Sequence, residues 1–215
     1  ELQIGELLLF KGNLSNLQLD VARTSDAWDL KLKADQLDGS VKLPDNPRRD
    51  PVKVQLKSLR LDLDHWLSDD GDLKSGAPAA DEIRPDPRQA PGLDVMVEKF
   101  YIGEQELGQL DFMAVPVSDG VHLEQLELTG PRLTLQGSGA WSGTPERQKT
   151  RLSFEAQTPD LGRLTRELQF TSAVEQAEMA VQAQLQWAAP PTEVALENLQ
   201  GSLDFQVGKG RGGDV

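Results

Sequence analysis

Apolar residues along this chain recur at n, n+2, n+5 and n+7, a spacing that suits neither a plain strand nor a helix. At 100° per residue the set scatters around a helical cylinder, and an unbroken strand would send its two halves to opposite faces. One extra residue in the middle of a strand, a β-bulge, brings both halves back to one face. Full copies are Leu2, Ile4, Leu7, Leu9; Val54, Leu56, Leu59, Leu61; Val95, Val97, Phe100, Ile102; and Val121, Leu123, Leu126, Leu128. Two further copies have glycine at one corner: Gly12, Leu14, Leu17, Leu19, and Val194, Leu196, Leu199, Gly201. Their intervals are irregular, so the pattern predicts one bulged-strand design reused down a sheet, not a solenoid of fixed period.

Asp119 to Trp141 carries the clearest pairing signal. Gly130-Pro131 reads as a two-residue type II′ hairpin loop. That register sets Thr129 opposite Arg132, Leu128 opposite Leu133 and Leu126 opposite Leu135. A bulge near Glu124 then brings Leu123 opposite Gly137 and Val121 opposite Gly139. The hairpin would thus have an apolar face of Val121, Leu123, Leu126, Leu128, Leu133, Leu135 and Trp141, backed by His122, Glu124, Glu127, Arg132, Thr134 and Gln136.

The rest of the chain extends this picture. Leu2 to Leu9 and Leu14 to Val21 read as adjacent strands around a Lys11-Gly12-Asn13 turn, followed by a strand from Trp28 to Ala34, a continuation over Gln36 to Leu43, and a loop from Pro44 to Pro51. Val52 to Leu63 is the longest strand candidate. Ser68 to Gly92 is rich in Asp, Pro, Ala and Gly, and predicts a linker or mobile loop in which no packed element forms. Leu93 to Ile102 and Leu107 to Val117 lead into the central hairpin, Ser142 to Lys149 reads as a polar loop, and Leu152 to Ala156 as a strand. Thr158-Pro159-Asp160 predicts a short helix over about 159–169, with threonine as N-cap, proline at N1 and Leu161, Leu164 and Leu168 as its apolar stripe; it should plug or flank the sheet. Met179 to Trp187 alternates as a strand, with a helical start over Ser172 to Ala180 left open. Glu193 to Val207 reads as a final strand pair. The expected fold is mainly β: a long, bent, mostly antiparallel sheet forming an open apolar groove, in segments 1–67 and 93–215 joined by 68–92. Residues expected to line the groove are Val95, Val97, Val121, Leu123, Leu126, Leu128, Leu133, Leu135, Trp141, Val181, Leu185, Trp187, Leu203 and Phe205.

Composition narrows the function. With 38% apolar and 5% aromatic residues, the 215-residue chain is thin for a closed core and suits a sheet with one covered face. A net charge of −13 argues against nucleic-acid partners, which need a positive footprint. The absence of cysteine removes thiol chemistry and disulfides. No run approaches the ~18 apolar residues of a membrane span. The chain opens inside a strand pattern, and the expectation is that it is a piece of something longer.

No catalytic, cofactor or metal constellation stands out. His65 and His122 both sit at polar positions of strand-like stretches, and His122-Leu123-Glu124 offers two ligands without a third. Asp62, Asp64, Asp69, Asp70 and Asp72 lack the terminal glutamate of a calcium loop. Gly208, Gly210 and Gly213 match G-x-G-x-x-G after a strand, but no helix or βαβ alternation follows. No G-x-S-x-G elbow exists. The four tryptophans lie near strand ends, where packing at a rim is the plain reading.

Three passages carry a family likeness. Leu185-Gln186-Trp187 with Pro190, then Leu196 to Leu203, resembles the L-x-W, P, L-x-x-L-x-G-x-L passage of the YhdP branch of AsmA-like, TamB-like proteins. Asp160 to Leu168 is similar to the D-L-G-x-L-x-x-x-L helix of that branch, and Gly120 to Trp141 to its G-P hairpin. The resemblance covers about Pro91 to Gly212 by motif and Glu1 to Leu67 by pattern. It implies a periplasmic protein of Gram-negative bacteria, anchored to the inner membrane by a segment absent here, whose groove holds phospholipid acyl chains and conducts the lipid between inner and outer membrane to maintain the outer-membrane barrier. It implies no enzyme activity and no cofactor, and leaves room for an outer-membrane or periplasmic protein partner. The competing expectation is a structural scaffold or outer-membrane assembly factor, whose groove is a core or accepts a partner strand by β-augmentation.

Overall fold

The computed structural model of the chain describes residues 2–9, 12–61, 84–167, 177–194 and 198–208. Twelve strands form one open sheet in sequence order. They are β1 Leu2–Leu9, β2 Gly12–Arg23, β3 Ala27–Lys33, β4 Leu37–Pro44, β5 Val52–Leu61, β6 Leu93–Ile102, β7 Gln105–Val117, β8 Gly120–Thr129, β9 Thr134–Thr144, β10 Arg147–Thr158, β11 Met179–Trp187 and β12 Gln200–Val207. Every neighbouring pair is antiparallel except β5 and β6, which run parallel and join the two halves into one sheet. A parallel pair needs a long crossover, and residues 62–92 supply it. Helix α1, Leu161–Glu167, is the single α-helix among the described residues. The mainly β, mostly antiparallel open sheet with one short helix is thus the observed architecture.

The n, n+2, n+5, n+7 spacing produces register shifts at β5, β6 and β8, whereas the copies in β1 and β2 pair with each other in one unbroken register. Between Leu123 and Leu126 the β8 register shifts by one residue against both β7 and β9, at the expected Glu124 region. Lys57 is the extra residue of β5 against β4, and a further shift lies between Val97 and Phe100 of β6. Between β5 and β6 the two irregularities match, so Leu56 pairs with Val97 and Leu59 with Phe100 without loss of face.

Several expectations need correction. The β8–β9 loop holds four residues, 130–133, so the partners are Thr129 with Thr134, Leu128 with Leu135, Leu126 with Gly137, Leu123 with Gly139 and Val121 with Trp141. A slip of two residues keeps every side chain on its face, so alternation cannot tell the two registers apart. What decides is backbone contact: Gly130 lacks the positive φ of a type II′ turn, and a Cβ on it would sit 1.6 Å from the Leu107 carbonyl oxygen. The neighbouring Gly108, at φ +131°, completes that close approach. Ser142 to Lys149 is not a loop, because β9 and β10 run on to a tight turn around Pro145-Glu146.

The helix starts two residues later than expected. Thr158 ends β10, paired with Met179, and Asp160 is the cap, its Oδ1 accepting the Arg163 N–H at 2.9 Å. Instead of a final strand pair, the described residues hold one strand, β12. In the predicted linker, residues 84–92 are packed: Pro87–Gln89 forms a 3-10 turn with Pro87 fully buried. Leu168, the alternative helical start before 177, and the linker over 68–83 lie outside the described residues.

Candidate functional site

One face of the sheet is apolar from edge to edge. Read through the strand pairings, Leu2, Leu19, Leu32, Gly39, Leu56, Val97, Leu110, Leu128, Leu135, Ala156, Val181 and Phe205 form one row perpendicular to the strands, one residue from each. Beside it runs a second row from Val21 through Leu30, Val41, Val54, Val95, Phe112, Leu126, Gly137, Phe154 and Ala183 to Leu203. No position in either row is polar. At ~4.8 Å per strand, twelve strands extend this surface over ~53 Å.

The bulges hold the rows in line. Without the extra residue at Glu124, Leu126 and Leu128 would leave the face that Val121 and Leu123 occupy. The opposite face reads Asp20, Lys31, Ser40, Gln55, Met96, Asp111, Glu127, Gln136, Glu155, Gln182 and Asp204 along the corresponding row. Met96 apart, it is polar throughout.

All fourteen residues expected to line a groove sit on the apolar side. Val97, Leu128, Leu135, Val181 and Phe205 lie in the first row, and Val95, Leu126 and Leu203 in the second. Leu123 and Leu185 share a third row through Gly139 and Leu152, while Val121, Trp141 and Trp187 share a fourth through Thr150. Leu133, in the loop, packs against the central cluster instead of pairing. Leu164, expected in the helix's apolar stripe, is in the buried cluster, while Leu107 and Leu110 are not among the residues expected to line the groove. Leu107 and Leu110 straddle the irregular start of β7, and a rule of alternation loses them there.

Cover is unequal along this face. Leu56, Val97, Phe100, Leu107, Leu128 and Leu164 form a buried cluster in which α1 contributes Leu164. The turn at Pro87–Gln89 contacts β8 and β9 at the other end of the strands. Gln148 ties it down, accepting from Trp141 Nε1 at 2.9 Å and donating to the Pro85 carbonyl at 2.9 Å. Asp86 caps the turn and holds Arg88 through Nε at 2.9 Å and Nη2 at 2.8 Å. The Arg88 hydrogen bond draws the Asp86 carboxyl below its ordinary range. Cover varies along the rest of the face: Val21, Trp28 and Leu43 keep 50%, 44% and 39% of their surface near buried Leu17 and Ala27, and Leu203, Phe205 and Val207 keep 50%, 61% and 60% beside buried Val181 and Trp187. Over the exposed Trp28 ring, the Arg23 guanidinium lies 5.1 Å from the centroid, and it pairs with Asp45 at 2.8 Å. That pairing lowers the Asp45 carboxyl.

The polar candidates do not converge. His122 is exposed on the polar face. No group of three or more potential metal ligands exists among the described residues. His65, the Asp62 to Asp72 run, Gly210, Gly213 and Trp66 lie outside them. An apolar surface this long can hold hydrocarbon by burial.

A family model described as YhdP protein matches residues 1–215. The chain belongs to the YhdP family. This is a family of the bacterial envelope, within the AsmA-like group. No curated relative and no solved structure matches the chain. Among the described residues no helix is long and apolar enough to cross a membrane.

Proposed function

We propose that the apolar face is a track for phospholipid acyl chains, part of a periplasmic, inner-membrane-anchored protein that moves phospholipid between the inner and outer membranes and so maintains the outer-membrane barrier. The observation that carries this reading is the row of apolar register partners crossing all twelve strands without a polar interruption. Burial stabilises each methylene by ~0.8 kcal/mol, and each strand along the row repeats the same chemistry. A chain is then held without a specific site and moves from one strand to the next at little net cost. Headgroups stay in water along the strand ends. The protein contributes no bond-making chemistry in this account.

A structural scaffold is the second reading, and one observation favours it: in the middle of the sheet the apolar side chains are already covered, with Val97 fully buried. The two readings part at exposed Phe205, which meets an acyl chain in a track and a partner strand in a scaffold. Native mass spectrometry of the intact chain from a bacterial host is the test. The expected result is phospholipid bound to the wild-type chain, strongly reduced by Phe205→Asp and unchanged by Gln206→Arg on the polar face. Absence of lipid from the wild-type chain under conditions that preserve its fold would favour the scaffold.

A further inference from the structure

Helix α1 occupies the very surface that the proposed track needs. It leaves β10 through Pro159-Asp160 and places Leu164, 7% exposed, among Leu56, Val97, Phe100, Leu107 and Leu128. Three of those residues belong to the first row or continue it, so an acyl chain passing from one flank to the other meets the Leu164 side chain there. Both are aliphatic carbon competing for one apolar wall, and they cannot share it at interior packing density.

Helix α1 is short. Its seven residues are too few to be stable in water alone, because nucleation outweighs so short a propagation. Leu164 is its buried leucine, while Leu161 is half-buried. Thr165 Oγ1 bonds back to the Leu161 carbonyl at 2.8 Å, within the helix. Among the described residues, its Leu161 N–H donates to the Ala177 carbonyl at 2.8 Å.

We infer that α1 is an internal competitor for the acyl chain: seated, Leu164 closes the track over β5 to β9, and an arriving chain displaces it. This rests on the lipid-track reading and adds its regulation. A chain carries many methylenes where Leu164 offers one short side chain, so occupancy of the wall favours lipid once lipid is present. Without lipid, the helix keeps the middle of the sheet dry and spares the protein a continuous exposed apolar face.

The chain contains no cysteine, so Leu164→Cys and, separately, Phe205→Cys give single-thiol reporters within this sequence. Their alkylation rates with a maleimide are measured in the intact chain, with and without palmitoyl lysophosphatidylethanolamine below its micelle concentration. The inference predicts that the Leu164→Cys rate rises about tenfold on adding lipid, as the closed segment opens, while the Phe205→Cys rate falls. A fall at 205 with no change at 164 overturns the competitor and leaves the track standing. No change at either position overturns both. Leu164→Ala supplies a second readout, since a weakened competitor should raise lipid bound per chain several-fold in native mass spectra, with Arg166→Ala as the exposed control; equal loading counts against the inference.

Discussion

Val97 and Phe205 stand in the same row of the same face, yet Val97 is fully buried and Phe205 keeps 61% of its surface. Residue type does not separate them, since Phe is the larger apolar group, and Val181, paired with Phe205 on the neighbouring strand, is 8% exposed. The difference comes from what lies above. Leu164 of α1 joins the buried cluster of β5 to β8, and at the other end of the strands the Pro87 turn contacts β8 and β9. At β12 nothing among the described residues covers it, and β12 is the last described strand. One apolar design therefore holds a buried middle and, at β12, an exposed end.

The sharpest way to break that comparison is to place a charge in each region. Val97→Asp would bury an unpaired carboxylate and should cost ~3–5 kcal/mol, enough to unfold a chain of ordinary stability. Phe205→Asp, on an edge open to water, should change stability by less than ~1 kcal/mol. Chemical denaturation of both variants checks this, and equal losses would show that the flank is also a core. The same logic bears on Leu135, which packs against the covered cluster; an acidic residue there should resemble Val97→Asp more than Phe205→Asp.

A smaller effect is expected at the helix cap. Asp160→Ala removes the acceptor for the Arg163 N–H and should destabilise α1 by about 1 kcal/mol. Hydrogen exchange would show it as faster exchange in α1 and in the β5 to β9 strands beneath it, with β12 unaffected. Slower or uniform change would mean that α1 does not cover the middle.

The smallest effect concerns the turn at Pro87–Gln89. Because Arg88 lowers the folded-state pKa of Asp86, its stabilising contribution is fully present above the unfolded carboxylate pKa of about 3.9. It is lost as pH falls through the lowered folded value. The thermal midpoints of wild type and Asp86→Asn should therefore differ at neutral pH and converge in strong acid. The exposed position of Arg88 keeps the difference small. A gap that persists unchanged at the lowest pH would assign the effect to something other than the ion pair.

Much of this architecture was legible along the chain, for stated physical reasons. The bulge at Glu124 shows in the sequence because Val121 and Leu123 are out of phase with Leu126 and Leu128, and only an inserted residue reconciles them. Register is less visible. The pairing of Leu128 with Leu135 instead of Leu133 rests on Gly130 packing against the Leu107 carbonyl, a contact between residues 23 apart that no local pattern contains. Thr158-Pro159-Asp160 offers two capping side chains, and pairing with Met179 assigns the first of them to a strand. The turn at 87–89 escaped a reading based on large apolar residues, because proline and an Asp86–Arg88 pair hold it. The alignment of all twelve strands into unbroken rows is the product of eleven registers, each undecided to within two residues by alternation alone.

The central claim, that the apolar face carries lipid, is tested most directly by photo-crosslinking along the edge strand, where neighbouring positions point to opposite faces. A photoreactive amino acid replaces Leu203, Asp204, Phe205 or Gln206 in the intact chain within cells, and captured species are identified by mass. The account predicts phospholipid captured from 203 and 205, and none from 204 and 206. Equal capture from all four positions, or capture of protein alone from 203 and 205, would contradict it.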